Sequence, residues 1–304
     1  TWGRIREMKY TIGAYIHDER KRKGYTQEEL AEGICTTSTL SKIENGSREP
    51  SAHIYEALMQ RLGEPASLFS VYLGRGELVV EYLCRKLLSM LAQNELTDVP
   101  RVIEEYEAAV EYYRLTESRL MQSMKVICHA LLDVPSSQVL QELYTVLQPE
   151  NGNRAEAEMF GERKLFTFEE LLLWNNIAIQ YKRLGNIRQA EQIWIGLKDY
   201  LEEKDIDGEE RARFYPVVLY NLAGLFAGKN EYKQAVFHSE TAIKSCVDYG
   251  KLFPLPYLLC QKGNGLMRLG KNSLATECFQ DAERIFRLCR KEETLIMDEM
   301  IASF

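Results

Sequence analysis

Two neighbouring stretches of sequence decide the fold of the N-terminal part of the chain: TQEELA at residues 26–31 and TTSTLSKIENG at residues 36–46. Thr26 can cap a helix, and Glu29 three residues later completes a capping box. Thr36 is suited to cap a second helix. The stretches therefore predict two short helices with a tight turn between them.

The same stretches predict how the two helices pack. Asn45-Gly46 supplies a left-handed exit that ends the second helix at Glu44. An apolar seam can form between the crossed helices from Leu30, Ala31, Leu40 and Ile43. The outer face of the second helix carries Thr37, Ser38, Ser41 and Lys42. Short hydrogen-bonding side chains with one cation suit a major groove better than a core. An amphipathic helical hairpin without a DNA-binding role could have the same apolar seam. Such a hairpin would not require the two caps and the Asn-Gly exit together.

With these caps and this spacing, residues 10–63 resemble the phage-repressor-like (XRE, or lambda-repressor-like) helix-turn-helix family. The resemblance implies that Arg20 forms a structural ion pair with Glu44, while residues 21–23 face phosphates or are merely solvated. It also implies that Gln27 and Asn45 contact the DNA backbone and that residues of the second helix face base edges. The predicted DNA-binding residues are Gln27, Thr36, Thr37, Ser38, Lys42 and Asn45.

The net charge of the chain is compatible with DNA binding when residues 1–63 and the remainder are counted separately. The 304 residues carry a net charge of −7, which is unusual for a DNA-binding protein. Residues 1–63 hold ten Lys/Arg and nine Asp/Glu, so the acidity lies in the remainder. Global acidity should suppress indiscriminate attachment to nucleic acid and leave the affinity to a local patch and to dimerisation.

Other classes of protein find little support in the sequence. The seven cysteines are scattered without a CxxC pair, which favours a reducing compartment and argues against disulfides or a zinc site. No P-loop or nucleophile elbow is present, and the four histidines are isolated, so we expect no enzyme, metal or cofactor.

The sequence also lacks signals for a membrane or for secretion. Apolar runs are too short to cross a bilayer, and residues 1–8 lack the apolar stretch of a secretory signal. We expect a cytoplasmic protein without membrane contact.

Internal repeats dominate the second part of the chain. Three segments align on Ala190, Ala235 and Ala275, with small residues twelve positions earlier at Ala178, Ala223 and Gly263. This pattern resembles the tetratricopeptide repeat, in which small residues let two helices approach closely. We place the clearest repeats at 171–204, 216–249 and 256–289, with residues 202–213 as an insertion, and expect two degenerate repeats between 77 and 165.

The predicted organisation is therefore all-α. A flexible N-terminus (1–9) precedes a helix-turn-helix bundle (10–63), a linker or hinge (64–76) and a right-handed superhelix of tetratricopeptide-type repeats (77–304) for ligand binding and dimerisation. In such repeats the first helix lines the concave surface. Amide side chains there can pair with the backbone of an extended peptide, and cations suit a carboxylate. The predicted ligand-binding residues are Asn175, Asn176, Lys182, Arg183, Tyr220, Asn221, Gln261, Asn264 and Arg268.

A repressor-like head before such an array resembles the Rgg/PlcR (RRNPP-type) class of peptide-pheromone regulators of Gram-positive bacteria. The segments NNIAI (175–179), YNL (220–222) and YGKL (249–252) strengthen the resemblance. It implies a homodimeric quorum-sensing transcription regulator whose repeats bind a short linear peptide and couple its occupancy to operator DNA. The alternative is a regulator whose repeats bind a protein partner, or only dimerise, without any peptide.

Overall fold

The computed structural model describes residues 11–66, 79–147 and 165–288, with gaps at 81, 85, 88–89, 91–96, 114–118, 132–133 and 253. All regular structure within these ranges is helical, which confirms the predicted all-α class. No helix in this part of the chain is long and apolar enough to span a bilayer. The predicted flexible N-terminus (1–9) and most of the predicted linker (67–76) lie outside the described residues.

Four helices form the N-terminal head: α1 (Ile12–Arg22), α2 (Gln27–Ala31), α3 (Thr37–Glu44) and α4 (Ala52–Leu62). The predicted capping box joins Thr26 and Glu29, and the Thr36 hydroxyl accepts from the backbone N–H of Thr39. Gly46 adopts a left-handed φ of 74°, as the predicted exit requires. A single apolar cluster holds the four helices together, built on Ile16, Leu30, Leu40, Ile43 and Leu58.

Before the three clearest predicted repeats, the structure gives bounds for helices α5 (Val99–Tyr113), α6 (Arg119–Leu131) and α7 (Ser136–Leu147). Fully buried Val102, Tyr106 and Met124 belong to one apolar cluster. The next helix, α8 (Phe168–Arg183), contacts α6, α7 and α4 of the head. Thr167 caps α8 in a second capping box with Glu170.

Five further helices complete the described chain: α9 (Ile187–Glu203), α10 (Gly208–Gly228), α11 (Tyr232–Asp248), α12 (Leu255–Arg268) and α13 (Asn272–Leu288). The chain divides into two compact units between Gly185 and Asn186. Within the second unit, α10 packs on α11, α12 packs on α13, and α11 packs on α12. Consecutive helices therefore stack as antiparallel hairpins, as expected for helical repeats.

The aligned small residues lie where paired helices approach closely, as the repeat pattern predicts. Ala223 and Ala235 are fully buried on α10 and α11. A methyl group on Gly263 would overlap the ring of Phe279, because α12 and α13 pack too closely to leave room for a side chain there. These positions fix the distance between the paired helices.

One boundary differs from the sequence-based expectation. Residues 208–213, which we expected to belong to an insertion, form the first turns of α10. The Asp207 side chain accepts from the backbone N–H groups of Glu209 and Glu210 and caps the helix, and acidic residues in a first turn favour the helix dipole. Pro216 lies inside α10 and does not end it.

Candidate DNA interface and ligand-binding residues

The outer face of α3 is polar and open to solvent. Leu40 and Ile43 are buried in the head, whereas Thr37, Ser38 and Lys42 are exposed on the same helix. The backbone of α3 is therefore anchored by apolar packing while its polar side chains remain available. An anchored helix with an accessible polar face can enter a major groove without reorganisation.

An ion pair fixes the position of α3 within the head. The Arg20 guanidinium donates to both oxygens of the Glu44 carboxylate, at 2.6 and 2.8 Å, and to the carbonyl of Tyr25 at 2.8 Å. Both side chains of the pair are 4% exposed. The predicted structural pair of Arg20 with Glu44 is thus confirmed.

The third member of this network is Gln27, whose Nε2 donates to Glu44 Oε2 at 2.8 Å. Burial alone would raise the pKa of Glu44, but the hydrogen bonds from Arg20 and Gln27 outweigh it and lower that pKa. Gln27 is half-buried, and one of its two amide hydrogens is committed inside the head. The DNA contact of Gln27 stays a prediction. It would have to be made by the other amide hydrogen or by the side-chain oxygen.

The basic residues around α3 divide into two groups. Lys23 is bound to Glu64 at 2.9 Å and to the carbonyl of Leu62, and Arg22 pairs with Glu19 at 2.7 Å. Lys42 and Arg48 are exposed and form no ion pair with any residue that the structure describes. Exposed cations beside a polar helix are what phosphate contacts require.

Arg48 is a candidate that the sequence-based prediction missed. Its backbone N–H donates to the carbonyl of Lys42 at 3.1 Å, so the loop after α3 folds back onto the helix. The Ser47 hydroxyl donates to the same carbonyl, and the Asn45 side-chain oxygen accepts from the backbone N–H of Ser47 at 3.0 Å. The exposed Asn45 side chain therefore shapes this loop. A basic residue two positions after the Asn-Gly exit was the available signal.

The predicted ligand residues of the first unit lie on α8 in two environments. Asn175 and Asn176 are buried, at 4% and 8% exposure, and Asn176 Nδ2 donates to the carbonyl of Leu172 at 2.9 Å. Lys182 and Arg183 at the end of the helix are exposed. The two amides are thus less accessible than the concave-surface interpretation assumed, whereas the two cations are more exposed.

The predicted residues of the second unit lie on α10 and α12, which contact each other. Tyr220 and Asn221 on α10 and Gln261 and Asn264 on α12 are half-buried, and Arg268 is exposed. Burial raises the pKa of the Tyr220 hydroxyl, with a further contribution from Cys260 and Tyr257 on α12. This pair of neighbouring helices therefore offers hydroxyl, amide and guanidinium groups on adjacent elements.

The sequence-based prediction also missed Gln180, a residue of α8 whose amide side chain is fully buried. It is 1% exposed, and neither its nitrogen nor its oxygen has a hydrogen-bond partner among the residues that the structure describes. The aligned positions in the other repeats are apolar or small, Leu225 and Gly265. A polar residue at a position that the repeat keeps apolar was the signal in the sequence. An unpaired buried amide costs about 1–3 kcal/mol.

We expect Gln180→Leu to stabilise the protein by about 1–2 kcal/mol, because leucine has a similar volume and no polar atoms to desolvate. The measurement is the free energy of unfolding in urea. Gln141→Leu on α7 is the control, since Gln141 is exposed and its replacement should have little effect. Destabilisation of the Gln180→Leu protein would mean that the amide is paired in solution.

Within the ranges that the structure describes, no three His, Cys, Asp or Glu side chains are grouped closely enough to hold a metal ion.

Comparison with known proteins agrees with this architecture. Residues 16–69 match the helix-turn-helix family HTH_3. The Bacillus thuringiensis PlcR structure with the peptide PapR7 and DNA superimposes with a TM-score of 0.59 at 18% identity, covering 92% of this chain and 95% of PlcR. The ComR structure from S. thermophilus with DNA and its signalling peptide ComS gives 0.55 at 15% identity, covering 96% and 98%. The apo form of B. thuringiensis PlcR also gives 0.55 at 15% identity, with 92% and 94% covered. No curated protein matches the sequence.

These matches identify the domain at the head and the fold of the chain. The head is a helix-turn-helix domain. Over nearly its whole length the chain shares the fold of PlcR and ComR, a helix-turn-helix head followed by helical repeats.

Proposed function

We propose that this protein is a transcription regulator that binds operator DNA as a homodimer and changes its DNA affinity when its repeats bind a short linear peptide. The observation that carries the proposal is the exposed polar face of α3, with Thr37, Ser38 and Lys42 on a helix whose other face is locked into the head. Thr36 and Asn45 are exposed at the two ends of α3, which supports the proposed contacts of these two residues with DNA.

The peptide part of the proposal is supported by the solved relatives and by the helices of the second unit. PlcR was solved with a peptide and DNA, and ComR with DNA and its signalling peptide. In this chain the neighbouring helices α10 and α12 carry the half-buried amides Asn221 and Gln261. Amides offer both a donor and an acceptor to the backbone of an extended peptide. Arg268 at the end of α12 suits a carboxylate of that peptide.

Occupancy can alter DNA binding only through a difference in peptide affinity between two states of the protein. Such couplings are typically about 1–3 kcal/mol, or about 5–150-fold in affinity. The proposed response is therefore large enough to be measured in a single titration.

The test is a fluorescence anisotropy titration of the full-length protein on labelled DNA from its own promoter region, at fixed salt, with and without peptides from cell-free culture. We expect specific binding that shifts with a peptide fraction, and loss of that shift in Asn176→Ala or Asn221→Ala. Specific binding that no peptide changes would favour a protein partner for the repeats. Absence of specific binding by a confirmed dimer would refute the operator-reading function.

Lys42→Ala should weaken operator binding about tenfold, because a good base or phosphate contact is worth about 1–3 kcal/mol. If Lys42 faces a phosphate, the slope of log affinity against log salt should fall by about one. The fold should be unaffected, since Lys42 is exposed. The matched control is Lys233→Ala on α11, an exposed lysine remote from the head in sequence. Equal affinities for the two variants would contradict the assignment of α3 as the recognition helix.

A further inference from the structure

An ion pair without solvent exposure joins the head to the first repeat helix. Arg61 Nη2 on α4 lies 3.0 Å from Glu170 Oε2 on α8, and both side chains are 0% exposed. The two residues are 109 positions apart in the chain and belong to the same compact unit. Charges buried so completely are costly unless they are paired and hydrogen-bonded, so the head and α8 are held together at this point.

The N-terminus of α8 is built around this contact. Glu170 Oε2 also accepts from the backbone N–H of Thr167 at 2.8 Å, and the Thr167 hydroxyl accepts from the backbone N–H of Glu170. The backbone N–H of Phe168 donates to Gln60 Oε1 of the head at 3.1 Å. Two of the donors at this helix start are therefore satisfied by Glu170 and by the head itself.

Arg61 extends the connection to the helix-turn-helix turn. Its Nη1 donates to the carbonyls of Leu30, at 3.2 Å, and of Glu32. Leu30 belongs to the last turn of α2, and Glu32 begins the turn that leads into α3. One guanidinium thus joins the capping carboxylate of α8 to the end of α2 and to the start of the turn that leads into α3.

We propose that Arg61 is a positioning residue for DNA recognition, and that through the Arg61–Glu170 pair the position of α8 sets the geometry of the α2–α3 turn. A shift of α8 displaces the carboxylate, the guanidinium follows it, and the two carbonyls lose or change their donor. Because α8 also carries Asn176 six residues after Glu170, a ligand on that helix acts on the same pair. This last step rests on the proposed function, whereas the coupling of α8 to the turn does not.

The main test variant is Glu170→Gln, which keeps an acceptor for Arg61 and for Thr167 but removes the negative charge. Glu107→Gln is the matched control, because the Glu107–Lys125 pair of the same unit joins α5 to α6 and is partly exposed. The double variant Arg61→Leu/Glu170→Leu removes both charges together. If the Glu170→Gln protein is insoluble, the double variant provides a folded protein without the ion pair, because apolar replacement of a buried pair is often tolerated.

The first readout is hydrogen exchange of the full-length protein without any ligand. The amides of Ile34 and Cys35 both donate to the carbonyl of Ala31 in the turn. We expect their exchange to be about tenfold faster in Glu170→Gln than in Glu107→Gln, with the amides of α1 unchanged. Exchange at the turn equal to that of the control would overturn the proposal, whether or not the protein binds DNA.

The second readout separates positioning from mere stability. In Glu170→Gln and in the double variant, operator affinity should change about fivefold or more while affinity for non-operator DNA stays at the wild-type value. The factor by which a responsive peptide changes operator affinity should fall towards one. A faster-exchanging turn with operator and non-operator affinities both unchanged would also overturn the proposal. If the wild-type protein binds no operator, the function fails, and the exchange measurement alone decides the coupling.

Discussion

Gly13→Ala is expected to unfold the head and to abolish operator binding. Gly13 is buried where α1 crosses α3, and a methyl group built on it would overlap the carbonyl oxygen of Ile43. That oxygen belongs to the backbone of α3, so no side-chain rotation can relieve the overlap. Overpacking of this kind costs about 3 kcal/mol or more, while the gain in helix propensity returns only about 1 kcal/mol.

Limited proteolysis followed by mass spectrometry measures the effect, since cleavage within residues 11–66 reports directly on the head. Operator binding by the same sample is measured by fluorescence anisotropy with labelled DNA. Gly228→Ala is the control, because no atom lies within 4 Å of the added methyl group at the end of α10. An intact, DNA-binding head in the Gly13→Ala protein would show that α1 and α3 do not approach as closely as described.

Arg20→Ala is expected to destabilise the head by about 3–5 kcal/mol, because it leaves the carboxylate of Glu44 buried without its counter-ion. The pair is 4% exposed on each side, and only Gln27 would remain as a donor among the residues that bind Glu44 here. Arg22→Ala on the same helix is the control. Its ion pair with Glu19 is largely exposed on the arginine side and should contribute about 1 kcal/mol or less.

The buried charge can be tested directly by a second change. Glu44→Gln in the Arg20→Ala background removes the uncompensated carboxylate and should recover part of the lost stability, whereas the same change alone should destabilise the wild-type head. Urea unfolding of the four proteins gives the coupling between the two residues. Additive effects would mean that the two side chains do not interact. Because the hydrogen-bonded carboxylate has a lowered pKa, its contribution is present above the unfolded pKa and is lost as the pH falls through the lower, folded value.

The two proposals place different demands on α8. Peptide sensing requires polar groups of α8, α10 or α12 to be accessible to a ligand, and Asn175 and Asn176 on α8 are buried. The coupling through Arg61 requires only that α8 can change its position relative to the head.

The local features of this protein were determined by its sequence alone. The capping box of Thr26, the cap at Thr36 and the left-handed exit at Gly46 involve residues within four positions of one another, so hydrogen-bonding chemistry and φ preference specify them without knowledge of the rest of the chain. The buried small positions Ala223 and Ala235 follow from a period that the repeats impose on every copy. The ion pair of Arg20 with Glu44 was available only through the family resemblance.

Only the tertiary structure decided the contacts that join distant segments. Nothing in the sequence pairs Arg61 with Glu170, because each lies in an ordinary helical context and their encounter depends on how the head packs on α8. The burial of Asn175, Asn176 and Gln180 likewise depends on neighbours that periodicity does not identify. Local hydrogen bonds and helix periodicity set the elements and their ends. The environment of a polar side chain is set by packing between elements, and both roles proposed for α8 depend on that environment.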